Sequence, residues 1–105
     1  MQTKVSILHH DYPARVRDQV EQKLQHLAKF YEHIVSMRAL LEKQHSDHRV
    51  EIVTAVGQGA VLVVDARSTA FGTAIDEAVD RMELLLKRHK GKHAEARRRA
   101  ARPTP

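Results

Sequence analysis

The stretch FGTAIDEAVDRMELLLKRHKGK, residues 71–92, combines two patterns. Phe71, Ala74, Ile75, Ala78, Val79, Met82, Leu85 and Leu86 recur at steps of three, four and one, the period of an α-helix with one buried stripe. Thr73, Asp76, Glu77, Asp80, Arg81 and Glu83 occupy the opposite face, with acids early and bases late, as the helix dipole favours. The end then turns basic: Lys87, Arg88, Lys90 and Lys92, with His89 among them. Dipole compensation needs only one or two cations. The excess reads as a positive patch for a polyanion, since clustered Lys and Arg on one element are the footprint of nucleic-acid binding.

Charge over the whole chain has the same asymmetry. From Lys87 to the end there are eight bases and one acid, net +7; the rest holds ten bases and twelve acids, net −2. An anionic membrane is the competing target, but no large apolar residue follows Leu86 to insert into one. No apolar run approaches the ~20 residues of a membrane span, and the N-terminus has no signal-peptide core of adequate length. There is no Cys, so disulfides and thiolate metal sites are excluded. With 105 residues and 42% hydrophobic content, one small domain with one core is expected, in the cytoplasm.

Working back from the last helix, the other elements follow from period and punctuation. Lys4–His9 alternates as a strand. Pro13 suits the first turn of a helix to about Phe30, with Asp11 or Tyr12 near its N-cap and Val16, Val20, Leu24, Leu27 and Tyr31 along its apolar line. Ile34–Lys43 reads as a strand with Val35, Met37, Ala39 and Leu41 on one face. After a turn-rich link at 44–48, Arg49–Val56 alternates Val50, Ile52, Thr54 and Val56 against Arg49, Glu51 and Val53. GlyGlnGly at 57–59 is a tight hairpin, Ala60–Arg67 is the fourth strand, and Ser68 or Thr69 caps the last helix.

The order β-α-β-β-β-α predicts an α+β domain: a four-stranded sheet with two helices packed on one face and the other face wet. Residues 1–93 form that domain. Residues 94–105, rich in Ala and Arg without an apolar period, are expected as a basic flexible tail that orders on binding.

Few aromatic residues are available for base stacking: Tyr12, Phe30, Tyr31 and Phe71, the last three expected in the core. Eight His include the i, i+4 pair His89 and His93, but a zinc site needs three or four convergent ligands, and cations surround His89. Asp76 and Asp80 lie one turn apart, a spacing explained by dipole compensation. No nucleophile motif or phosphate loop is present. The expectation is no enzyme, no metal, no cofactor and no small-molecule substrate.

The element order, AlaIleAsp-x-x-ValAspArgMet at 74–82 and LysArgHisLysGlyLys at 87–92 resemble the ribosome hibernation promoting factor family. It is also called the ribosome-associated translation inhibitor or sigma-54 modulation family. Val16, Arg17, Val20, Lys23, Leu24 and Leu27, then PheTyr at 30–31 and Ile34, agree with its first helix.

The resemblance covers about residues 1–93. It implies a non-catalytic factor that binds the small ribosomal subunit, through rRNA, at the decoding channel where tRNA and mRNA meet, and stabilises idle ribosomes. It implies rRNA contacts at Arg17, Lys23, Arg81, Arg88, Lys90 and Lys92, with His89; local charge adds Lys29 and Lys87. Gly72 and Leu84 depart from the family pattern, where an aromatic ring and a base are common.

The chain resembles the short form, expected to be monomeric off the ribosome. A general double-stranded RNA-binding module is the alternative; such modules usually carry their bases at the start of the last helix. A protein-interaction domain is a third reading.

Overall fold

The computed structural model describes residues 4–9, 12–31 and 33–101, with side chains within 12–90 other than positions 32 and 58. The chain order is β1 (Lys4–His9), α1 (Ala14–Phe30), β2 (Ile34–Gln44), β3 (Asp47–Val56), a 3-10 turn at Gly57–Gly59, β4 (Val61–Ser68) and α2 (Phe71–Ala101). This is an α+β fold. β2, β3 and β4 form an antiparallel meander, and β1 runs parallel beside β2, giving the order β1-β2-β3-β4.

Register explains which face is covered. Met37, Ala39 and Leu41 stand opposite Thr54, Ile52 and Val50, which stand opposite Leu62, Val64 and Ala66. Because side chains alternate along a strand, this set shares one face. It forms a single core with Val20, Leu24 and Leu27 of α1 and Ala74, Ile75, Ala78, Met82 and Leu86 of α2. Both apolar helix stripes therefore close on the same sheet face. Thr54 is the exception within the core: its Oγ1 is buried and has no hydrogen-bond partner among the described residues.

Several expected details differ. β2 carries an irregularity between Ile34 and Ser36; Ile34 takes the core position and Val35 is 51% exposed. An extra residue in one strand shifts the two-residue alternation, which moves Val35 off the inner face. Phe30 was expected in the core but is 62% exposed and lies edge-on to the His26 ring, centroids 4.9 Å apart. It sits three positions after Leu27, beyond the last buried position of α1. Tyr31 and Phe71 pack partly buried against the core.

The β2–β3 link is a two-residue turn at 45–46, tighter than the five residues expected. His45 makes it by adopting a φ of 57°. GlyGlnGly forms a 3-10 turn, with Gly59 at a φ of 80°.

The helix starts also differ. Pro13 is the N-cap of α1 and makes no side-chain cap, while Asp11 lies outside the described residues. Tyr12 instead reaches across to the sheet. Its hydroxyl is 2.7 Å from His48 Nδ1 and donates to the Glu42 carbonyl at 3.4 Å. Its ring packs on Phe71, centroids 5.1 Å apart, so one residue ties the entry of α1 to the β2–β3 hairpin and the start of α2. Burial raises the Tyr12 hydroxyl above its ordinary value. At α2, Ser68 Oγ accepts from the Ala70 amide at 3.2 Å, just ahead of the helix.

α2 continues past residue 93 to Ala101. Gly91 costs about 1 kcal/mol against Ala in a helix, but Ala94, Ala96, Ala100, Ala101 and the arginines are strong helix formers. The backbone of 94–101 is thus an extension of the last helix; positions 102–105 lie outside the described residues.

Candidate nucleic-acid interface

The expected cations divide among three surfaces. Arg17 and Lys23 stand six residues apart on α1, so they emerge about 120° apart around the helix. Lys23 faces α2 and pairs with Asp76 at 2.9 Å. Arg17 lies on the other flank of α1 and is exposed, and Lys29 is exposed in the last turn.

On α2, Arg81 stands on the flank toward β4 and donates to the Asp65 backbone carbonyl, with Glu77 3.9 Å away one turn back. Lys87 pairs loosely with Glu83 at 3.5 Å. Arg88 and Lys90 are exposed and His89 is partly buried; the side chain of Lys92 lies outside the described residues. Leu86 is the last buried side chain described on α2, so Lys87, Arg88 and Lys90 lie beyond the part that packs on the sheet.

Lys23 and Arg81 are consequently not equivalent to Arg88 and Lys90. The first two already have acceptors within the fold. The latter two have no ion pair among the described residues. Arg17, Lys23 and Arg81 do not form one contiguous patch: the flank of α2 that carries Asp76 lies well round the helix from Arg81.

Tertiary structure adds a feature that periodicity did not reveal. α1 and α2 leave an open groove of about 520 Å³ between them, lined by Gln19, Gln22, Lys23, His26, Phe71, Gly72, Ile75, Asp76 and Val79. A Cβ built on Gly72 meets nothing within 4 Å, so the residue leaves this groove open. The floor is apolar and the rim carries amides and one ion pair. The i, i+3 spacing of Gln19 and Gln22 in the sequence was the available signal for that rim.

The open sheet face has a different character. Arg49 contacts Glu51 at 2.9 Å and Glu42 and Asp65 at 3.5 Å each. Burial opposes the charge on Arg49, but the hydrogen bond to Glu51 and the three carboxylates outweigh it and hold the guanidinium above its ordinary value. Toward the other end, Val61 and Val63 are 59% and 54% exposed. Balanced charges and valines do not make a polyanion surface. Among the described residues no group of three or more His, Cys, Asp or Glu is arranged to hold a metal ion. Among them, too, no helix is long and apolar enough to cross a membrane.

Residues 3–94 match the model of a family described as sigma 54 modulation protein / S30EA ribosomal protein. A "ribosome hibernation promoting factor" of Azotobacter vinelandii is 29% identical over 103 residues, 98% of this chain and 94% of that protein. The N-terminal domain of Protein Y from Thermus thermophilus superposes with a TM-score of 0.72 at 28% identity, covering 85% of this chain and 99% of that one. A ribosomal subunit interface protein from Coxiella burnetii gives 0.74 at 15% identity, over 87% and 99%, a likeness of fold.

Proposed function

Because the chain belongs to the sigma 54 modulation protein / S30EA ribosomal protein family, we propose that it is a ribosome hibernation factor. It binds the small ribosomal subunit at the decoding channel through rRNA. It inhibits translation by occupying the space of tRNA and mRNA, and so acts in the cytoplasm without catalysis. The exposed cations Lys87, Arg88 and Lys90, beyond the packed part of α2 and on a near-neutral body, are the observation that carries the site assignment. Lys92 extends that run. Arg17, Lys23, Lys29, Arg81 and His89 complete the proposed rRNA-facing set.

Cations act on RNA by releasing condensed counterions. A contact with roughly 6–10 phosphates costs about 10³–10⁵ in affinity between 50 and 200 mM salt. Co-sedimentation with purified small subunits across a salt series tests the reading. The protein is expected to travel with the subunits at low salt and to dissociate steeply as salt rises. If it stays at the top of the gradient in low salt, the proposal fails. Equal affinity for an arbitrary RNA duplex would instead assign a general double-stranded RNA-binding module.

A further inference from the structure

We propose that the C-terminal half of α2 is a rigid arm that tracks the phosphates of one RNA strand through a straight line of basic positions: Arg81, Arg88, Lys92 and Arg99. The inference rests on the ribosome-binding reading, and it gives the Arg-rich end of the chain a defined geometry.

The helix is unbroken from Phe71 to Ala101. At 1.5 Å per residue the part beyond Leu86 is roughly 22 Å long. The four basic positions are separated by seven, four and seven residues. The total of eighteen is five full turns at 3.6 residues per turn, so Arg81 and Arg99 share one angular position. Arg88 and Lys92 fall within about 20° of it.

The line is therefore nearly parallel to the helix axis and about 27 Å long. Glu95 also falls on the line and leaves it net positive. No large apolar residue follows Leu86 on the helix, which disfavours insertion into a lipid surface.

The base of the line is keyed to the domain. Arg81 donates to the Asp65 carbonyl on β4, so the helix cannot roll about its axis without breaking that contact. A guanidinium has five donors, which lets Arg81 hold Asp65 and still meet a phosphate. In a flexible tail the spacing of the arginines would be immaterial. On a helix keyed at Arg81 it sets which of them meet the strand.

Helical phase provides the test. Arg99→Ala and Arg97→Ala remove the same charge two residues apart, the first from the line and the second from a position about 160° round the helix from it. Binding of full-length protein to purified small subunits is measured at ~0.1 M salt, with circular dichroism confirming the fold and helix content of each variant.

Arg99→Ala should bind about eightfold weaker, with a salt slope shallower by about one, the value of one lost phosphate contact. Arg97→Ala should match the parent within about twofold. Equal affinity of the parent and Arg99→Ala proteins, or equal losses in both variants, would overturn the arm. If the parent itself does not bind small subunits in low salt, the underlying ribosome reading fails instead.

Discussion

Replacing Asp76 by Asn should tighten RNA binding. The Asp76 carboxylate holds the Lys23 ammonium at 2.9 Å, with side-chain exposures of 62% and 43%. A pair this open contributes at most about 1 kcal/mol to folding, and loss of an acid near the helix start costs a few tenths more. The fold should therefore survive with little change. On the RNA side, a phosphate drawn to Lys23 would stand about 6 Å from the carboxylate. At the dielectric of water that repulsion is ~0.7 kcal/mol, about threefold in affinity.

Freeing Lys23 as a complete phosphate contact sets an upper bound of about eightfold at ~0.1 M salt. Asp76→Asn should consequently bind small subunits three- to eightfold tighter in filter binding, with a steeper salt slope. Lys23→Ala in the Asp76→Asn background should abolish the gain. Unchanged or weaker binding of Asp76→Asn, with Lys23→Ala silent in the parent, would show that Lys23 does not meet phosphate.

Three other expectations test separate parts of the structure. Lys87→Ala, Arg88→Ala and Lys90→Ala together should weaken small-subunit binding by about 8- to 500-fold at ~0.1 M salt, from one contact at Arg88 to the product of three. Their exposure predicts stability changes within about 0.5 kcal/mol each, so unchanged affinity in the folded triple variant would remove this segment from the site. Thr54→Val replaces a buried, unpartnered hydroxyl with a methyl of similar shape. It should stabilise the fold by about 1 kcal/mol and raise Tm by about 4–8 °C, and a lower Tm in calorimetry would mean that the hydroxyl has a partner.

Burial raises the Tyr12 hydroxyl above 10.0, so the unfolded chain loses that proton first. Stability should be unaffected by this group below about pH 10 and should fall above it. Tyr12→Phe should flatten that alkaline fall in urea titrations while costing about 1 kcal/mol at neutral pH for the lost hydrogen bond. An equally steep fall in the variant would contradict the assignment.

Individual residues show how far pattern reading reached. The stripe of Ala74, Ala78, Met82 and Leu86 was legible because helical phase is set within a few residues, and all four are buried. The alternation of Val50, Ile52, Thr54 and Val56 was legible for the same reason, with a period of two. Val35 was not: the irregularity that moves it out depends on how β2 meets β3. Phe30 looked like core by residue type, but its side-chain direction leaves it beside His26.

The cationic residues make the same division. Composition and order identified a positive C-terminal end, and the family pattern named the bases on it. Charge density is a local property of the chain, so the sequence alone determined where the positive charge is concentrated. Only the tertiary structure decided which of those charges are already engaged, because Lys23 meets Asp76 across 53 positions and Arg81 meets Asp65 across 16. Such contacts require the helices to be docked on one sheet face at a particular rotation. That rotation is set by the whole core, and no single stretch contains it.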